Sequence, residues 1–168
     1  MLYIILYIQI IMLIQFEEYL TFENIYIFSN YGILPFWLLL ITVPNSKITQ
    51  ILVNSIILPL ILSTAYIYVL YQTILLDEPI LNIFKLYLSI DNLYTIFANE
   101  SFLLIFWIHF LALSLFLGSW VSRDAIKYNV PKKMVVFPLI LIYFTGPVGF
   151  VLYWFFRIFY SKKLGLHD

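Results

Sequence analysis

The stretch that most limits how this chain can fold is residues 102–121, a run of 20 residues without a single formal charge. A helix of that length is about 30 Å long, which matches the hydrocarbon thickness of a bilayer. The composition agrees, because 64% of the residues are hydrophobic and 11% are charged, whereas soluble domains carry about 25% charged residues. We therefore predict an all-α integral membrane protein.

Three further apolar stretches predict three more spans, giving four transmembrane helices in one domain over residues 22–160. Proline interrupts the first two stretches, which membrane helices tolerate when neighbouring groups satisfy the freed carbonyl. Gly146-Pro147-Val148-Gly149 divides the last stretch, which predicts a bent or briefly unwound helix there. The three stretches are residues 25–43, 51–71 and 134–159.

The remaining segments predict smaller elements. Residues 1–20 begin with 16 mostly apolar residues, fewer than the roughly 20 that a span needs. They indicate an interfacial anchor helix, with an extra tilted span as the alternative. Residues 77–100 predict a short amphipathic helix in the interface, and residues 161–168 predict a polar tail.

The basic residues give no clear orientation under a four-span reading. Five lysines and arginines then fall on one side of the membrane and four on the other, a bias too small for the positive-inside rule. The membrane itself is predicted to be a bacterial inner membrane or the membrane of an organelle, because the N-terminus lacks the marks of a signal or transit peptide.

Composition excludes several kinds of chemistry. The chain has no cysteine, two histidines and zero formal net charge, so thiolate metal sites, paired-histidine haem and nucleic-acid binding have no support. The histidine and carboxylate clusters of membrane di-iron enzymes are missing as well. We expect no metal and no cofactor, and any reaction is expected to be redox-neutral acid–base chemistry.

His109 is the strongest single candidate residue, because an imidazole within hydrocarbon is costly and usually faces a partner or a cavity. It would transfer a proton or anchor a ligand, or it would be a neutral histidine satisfied by a neighbouring helix. At about 100° per residue, one helical face carries His109, Phe116, Trp120 and Arg123, and the opposite face carries Trp107, Ser114 and Gly118.

Arg123 and Asp124 close this apolar run and have two interpretations. A snorkelling pair at the membrane boundary is the simpler one. As a functional pair, Arg123 would orient Asp124 or a polar group of a ligand.

Several motifs occur in a distinctive order along residues 22–157, and together they resemble the neoxanthin-synthase-like family. These are the abscisic-acid-deficiency 4-like membrane proteins of plastids and their bacterial relatives. The specific part is the segment from Trp107-x-His109 to Arg123-Asp124-Ala125. The motifs are Pro35-Phe36-Trp37-Leu38-Leu39-Leu40 before Pro44, Trp107-x-His109-x-Leu111-Ala112-x-x-Leu115-Phe116-x-Gly118-x-Trp120, Arg123-Asp124-Ala125, and Gly146-Pro147-x-Gly149.

The resemblance implies a four-helix membrane protein that opens an epoxide of the carotenoid violaxanthin to the allene of neoxanthin without net redox change. It leads us to predict His109, Asp124 and Arg123 as catalytic residues. Ser114 departs from the family pattern, which has aspartate there, so the activity is altered or lost if that carboxylate is the acid or base. The predicted substrate-binding residues are Trp107, Ser114, Phe116, Trp120, Gly146 and Pro147.

Two functions follow as hypotheses. The first is an isomerase-like enzyme acting on a carotenoid or other isoprenoid dissolved in membrane lipid. The second is a subunit that holds pigment or lipid within a larger membrane complex, with other subunits as partners. A channel or transporter is less well supported, because His109 is the one strongly polar side chain at mid-membrane.

Overall fold

The structure is a computed structural model that describes residues 19–55, 57–76, 80–162 and 165, together with Tyr3 and Tyr7. The rest of the predicted N-terminal helix and most of the polar tail, including His167, lie outside the described residues. The described part is all-α, as predicted. Its helices are α1 (Phe22–Gly32), α2 (Leu34–Thr42), α3 (Lys47–Leu52), α4 (Ile57–Leu76), a 3₁₀ segment (Ile80–Tyr87), α5 (Ile90–Phe97), α6 (Glu100–Lys127), α7 (Lys132–Thr145) and α8 (Pro147–Ser161).

Within the described residues, three helical segments are long and apolar enough to cross a membrane: residues 22–42, 47–75 and 100–127. We refer to them as the first, second and third spans. The first span is interrupted at Ile33, just before Pro35 in the first turn of α2, because proline has no N–H to donate. The second span is interrupted after Leu52, at the end of α3.

The first and third spans run in the same direction. Glu23 and Glu100, each at the start of its span, line one cavity. At the opposite end, the Lys132 Nζ donates to the carbonyl of Thr42 at 2.6 Å. The beginnings and the ends of these two spans therefore lie at the same two ends of the molecule.

The second span runs antiparallel to the third. Near its start, Asn54 accepts a hydrogen bond from the Ser119 hydroxyl at 2.8 Å. Further along, the Tyr66 ring lies 6.1 Å from the His109 ring. Residues later in the second span therefore contact residues earlier in the third span.

The fourth predicted span is not one helix, so the predicted count of four spans is not confirmed. Residues 132–161 form two helices, α7 with 14 residues and α8 with 15. They fold back on each other, since Tyr160 near the end of α8 donates to the sulfur of Met134 near the start of α7 at 3.2 Å. Each helix is about 21–23 Å long, shorter than the roughly 30 Å of hydrocarbon.

Two glycines explain why the chain reverses where a bend was predicted. Gly146 joins the two helices and has a backbone φ of +61°, a value that residues with a side chain rarely adopt. A Cβ on Gly149 would overlap the backbone nitrogen of Ile142 and the carbonyl oxygen of Pro138. Backbone packs against backbone at this point, so α7 and α8 form a tight hairpin.

The hairpin reaches only part of the way along the third span. A Cβ on Gly146, at the tip, would lie 3.6 Å from the Phe110 ring and 3.8 Å from the Ser114 hydroxyl. Ser114 precedes the end of the third span by 13 residues, or about 20 Å. The face of the third span between Glu100 and Phe110 is therefore not covered by α7 or α8.

Trp37 joins three elements at the centre of the protein. Its side chain is 3% exposed, and a Cβ on Gly118 would lie 2.6 Å from its ring. On the hairpin side, its ring meets Tyr143 edge-on at 5.5 Å between centroids. Small residues that allow close approach are typical of helix contacts in lipid, and here Gly118 makes room for an indole.

The hairpin also changes the distribution of charge between the two ends. Because α8 returns to where α7 began, the C-terminal basic residues join those after the first and third spans, and we call this the basic end. The opposite end carries Lys85 with Glu23, Asp91 and Glu100, and we call it the acidic end. Seven of the eight described lysines and arginines lie at the basic end: Lys47, Arg123, Lys127, Lys132, Lys133, Arg157 and Lys162.

We predict that the basic end faces the cytoplasm or the equivalent interior compartment, because the positive-inside rule now has a clear bias to act on. The chain has no cysteine, so single cysteines can be placed at the exposed positions Asp91 and Lys133. A membrane-impermeant maleimide should label Asp91→Cys on intact bacterial cells, and Lys133→Cys only after permeabilisation. The reverse pattern would contradict this orientation.

We also predict that Gly118→Ala destabilises the protein, since the new methyl group would overlap the Trp37 ring. Overpacking of this kind costs about 1–3 kcal/mol, which should lower the thermal unfolding midpoint in detergent by several degrees. Gly32→Ala is the matched control, because a Cβ there meets nothing within 4 Å. Equal midpoints for the two variants would show that Gly118 does not set the contact.

Candidate functional site

His109 lies on the exposed face of the third span, which corrects the expectation that it is buried among packed helices. Its ring lies beside Tyr66 in a groove of about 200 Å³ that is lined by the second and third spans, the 3₁₀ segment and α5. Phe116 and Arg123 share this exposed face, whereas Trp120 is half-buried. His109, Phe116 and Arg123 therefore share one face of the helix as predicted, but this face is directed outward.

The direction of His109 follows from Gly118. The two residues are nine positions apart, which places them about 180° apart around the helix. Gly118 must face inward to accommodate Trp37, so His109 must face outward. Small residues, and not the polar imidazole, determine the packing face of this helix.

Asp124 is paired with Arg157, whereas the sequence interpretation paired it with Arg123. The Arg157 Nε donates to the Asp124 Oδ2 at 2.7 Å, and the Tyr153 hydroxyl donates to the same oxygen at 2.7 Å. Arg123 is exposed and makes no ion pair with Asp124 within the described part of the chain. The reason is the hairpin, which brings the end of α8 against the end of α6.

We call Asp124, Tyr153 and Arg157 the latch, because they join the third span to the hairpin. Tyr153 and Arg157 are both 0% exposed and Asp124 is 9% exposed. The Arg157 guanidinium also lies over the Tyr128 ring at 4.7 Å. Leaving a buried charge unpaired costs several kcal/mol, so the latch strongly favours the folded-back arrangement.

Sequence reasoning missed Tyr153 and Arg157. Neither residue was among the predicted catalytic or substrate-binding residues. Their spacing of four residues carried a signal, because it places both side chains on one face of a helix. That face had to meet an unpaired carboxylate, and Asp124 is the buried carboxylate among the described residues.

His109 and Asp124 cannot act on the same bond. They are 15 residues apart on one straight helix, a separation of about 22 Å along its axis. Acid–base partners in catalysis must each lie within hydrogen-bond reach of the reacting group. Any role of His109 in proton transfer therefore belongs to a different place in the protein from the latch.

Several of the predicted substrate-binding residues do come together at the tip of the hairpin. Gly146 lies against Phe110 and Ser114, with Pro147 next in the chain. Phe110 stacks on Trp107 at 5.5 Å between centroids. The Trp107 Nε1 donates to the Oδ1 of Asn30 at 2.9 Å, which fixes the indole between the first and third spans.

Trp107 also forms one wall of a cavity of about 580 Å³ at the acidic end, which we call the aromatic cavity. It lies between the first and third spans, above the level that the hairpin reaches. Tyr26, another lining residue, lies next to Trp107, with ring centroids 6.5 Å apart. Its lining consists of Phe22, Glu23, Tyr26, Glu100, Leu103, Leu104 and Trp107.

Two carboxylates, Glu23 and Glu100, are the charged side chains of this lining. Both are exposed and lie in the first turns of their helices, where negative charge is favoured. The aromatic cavity therefore combines an apolar interior with acidic groups at its mouth. Among the described residues, no group of three or more His, Asp or Glu side chains could hold a metal ion.

Comparison with known proteins identifies one family. The ABA DEFICIENT 4-like family matches residues 24–153. The match begins at Asn24, includes the third span and ends within α8 at Tyr153. No curated protein and no solved structure matches the chain. The match covers most of the sequence and confirms the resemblance drawn from its motifs, so this chain belongs to the ABA4-like family.

Proposed function

We propose that this protein binds a carotenoid or a related isoprenoid from the surrounding lipid and isomerises it by redox-neutral acid–base chemistry. The observation that carries the proposal is the aromatic cavity, together with membership in the ABA4-like family, which suggests a carotenoid-related function. The cavity is open, apolar within and acidic at its mouth. These are the properties that a long hydrocarbon with an oxygenated end group requires.

The polyene would lie against Tyr26, Leu103 and Trp107. Aromatic side chains offer large flat surfaces to a planar conjugated chain, and most of a ligand's contacts in such pockets are apolar. The hydrogen bond between Trp107 and Asn30 holds the indole in place before the ligand arrives. A wall that is already ordered loses less entropy on binding.

The oxygenated ring would lie at the mouth, beside Glu23 and Glu100. Opening an epoxide requires an acid that protonates the oxygen as its C–O bond breaks, and a base that removes a proton from a nearby carbon. The carboxyl side chains of Glu23 and Glu100 are of the type that can fill these two roles, because a carboxyl group can act as an acid or as a base. The proton gained by oxygen balances the proton lost by carbon, so the product is an isomer and no redox cofactor is needed.

The latch takes a supporting role in this proposal. Asp124 is about 36 Å along the third span from Glu100, and its Oδ2 is already bonded to Tyr153 and Arg157. It would hold the hairpin at a depth that keeps the aromatic cavity open. His109 remains the alternative proton-transfer residue, acting in the groove beside Tyr66 on a substrate that approaches from lipid.

A second candidate function is pigment or lipid holding without catalysis. It is favoured by Ser114, which is buried at the hairpin tip where the family resemblance implies a carboxylate. A hydroxyl of ordinary acidity is a much weaker proton donor or acceptor than a carboxyl group. In this case the aromatic cavity would bind the same class of ligand and release it unchanged.

The experiment is reconstitution of the purified protein into liposomes with epoxy-xanthophylls, followed by chromatography of the extracted pigments. We predict that Glu23→Gln and Glu100→Gln each lower the rate of isomer formation by about 10²–10⁴-fold, the usual contribution of a general acid or base. Asp91→Asn is the matched control, because it removes an exposed carboxylate at the same end but outside the cavity. Its rate should equal that of the unmodified protein.

The same assay separates the alternatives. A large loss with His109→Gln and none with the glutamine variants would move the reaction to the groove beside Tyr66. Pigment that stays bound to the protein without any product would support the holding function, and Trp107→Leu should then reduce the bound pigment while Phe116→Leu does not. Neither product nor bound pigment with any xanthophyll would contradict both the isomerase function and the pigment-holding function.

A further inference from the structure

A second large cavity lies at the basic end, far from the aromatic cavity, and has a volume of about 700 Å³. Three segments form it: residues 40–46 at the end of the first span, residues 122–130 at the end of the third span, and residues 132–139 in α7. We call it the basic-end cavity. Its position at the ends of the spans corresponds to the level of lipid headgroups.

One polar group in the lining of this cavity has no partner. The Ser122 side chain is 1% exposed, and no hydrogen bond reaches its hydroxyl from any residue that the structure describes. Buried polar groups are nearly always paired, with protein, water or ligand. An unpaired buried hydroxyl in the wall of a cavity is a donor available to a ligand that binds there.

Lys132 gives this cavity its charge. Among the described residues that line the cavity, it is the only charged one, and none of them carries a carboxylate. Its Nζ donates to the Thr42 carbonyl at 2.6 Å, so the ammonium group is held at the rim with two further N–H donors free to bind. An anion is the ligand that such a site favours.

The start of α7 adds to this preference. Lys132 is its first residue, and no side chain from the described residues caps the helix after Pro131. Uncapped N-terminal N–H groups and the helix dipole both stabilise negative charge. Asn45, Ser46 and Asn129 supply further polar groups around the same opening.

The other side of the basic-end cavity is apolar. Its accessible apolar surface comes from Val43 just after the first span, Ile126 in the third span and Val136 in α7. A soluble anion would gain nothing from this surface, whereas a hydrocarbon chain would cover it. The combination of a cationic rim with an apolar wall fits an amphiphile with an anionic head.

We propose that the basic-end cavity binds an anionic phospholipid. The phosphate contacts Lys132 and the first turn of α7. A glycerol or ester oxygen of the lipid accepts a hydrogen bond from the Ser122 hydroxyl, and an acyl chain lies along the apolar wall. Basic pockets between membrane helices on the cytoplasmic side are typical sites for anionic headgroups. This proposal does not depend on the carotenoid function, because it concerns a different cavity at the other end of the protein.

The test uses purified full-length protein in a mild detergent, with phosphatidylglycerol or phosphatidylcholine added. Binding is measured by native mass spectrometry and by the shift of the thermal unfolding midpoint. Phosphatidylglycerol should bind and raise the midpoint more than phosphatidylcholine. Lys132→Gln should weaken its binding by about tenfold or more, since it keeps a donor for Thr42 but removes the charge.

Lys133→Gln is the matched control, because this exposed lysine is adjacent in the chain but absent from the lining. It should bind phosphatidylglycerol as the unmodified protein does. Ser122→Ala should also weaken binding, by several-fold, while leaving the midpoint in phosphatidylcholine within a few degrees. This second variant keeps the test valid if Lys132→Gln fails to fold.

Three results would overturn the proposal. Equal losses for Lys132→Gln and Lys133→Gln would indicate diffuse attraction to the basic end. Full competition by glycerol phosphate in solution would indicate an anion site that does not require a lipid. Equal binding of phosphatidylglycerol and phosphatidylcholine by all variants would show that the cavity does not recognise the charge.

Discussion

The ion pair between Asp124 and Arg157 determines how the last two helices of this protein are arranged. It joins the end of the third span to the end of α8, and Tyr153 donates to the same carboxylate oxygen. Charges buried in this way are stable only when they are paired. The pairing therefore requires α8 to return to the basic end, and the chain must reverse at Gly146.

The reversal explains features at both ends of the protein. Since the hairpin reaches only as far as Phe110 and Ser114, the third span is uncovered near the acidic end, and the aromatic cavity lies there. Since both hairpin helices have their outer ends at the basic end, α7 begins beside Thr42 and closes the second cavity. The reversal of the chain thus places the apolar cavity with carboxylates at its mouth at the acidic end and the cavity with a cationic rim at the basic end.

Much of the fold was predictable from periodicity and length alone. The run at residues 102–121 lies within α6, and the opposition of Gly118 to His109 follows from helix geometry. The direction of that opposition was not predictable in the same way, because polarity suggested that His109 faces inward. The contact between Gly118 and Trp37 decides the matter, and it involves residues 81 positions apart.

The hairpin could not be predicted from the sequence for a related reason. Residues 134–159 are long enough for a full span, and a Gly-Pro step predicts a bend as readily as a reversal. Only tertiary contacts separate the two, namely the fit of Gly149 against Ile142 and Pro138 and the latch. Of the candidate site residues, Trp107, Ser114, Gly146 and Pro147 lie in one region, whereas Arg123, Asp124 and His109 do not lie together.

The distance between positions 134 and 160 tests the account most directly. Spin labels on Met134→Cys and Tyr160→Cys, in a chain with no cysteine of its own, can be measured by pulsed electron paramagnetic resonance in liposomes. Antiparallel helices pack about 8–10 Å apart, so the labels should give a short distance with a narrow distribution. A distance near 39 Å, expected for 26 residues of continuous helix, would show that residues 132–161 form a single span and would contradict the hairpin.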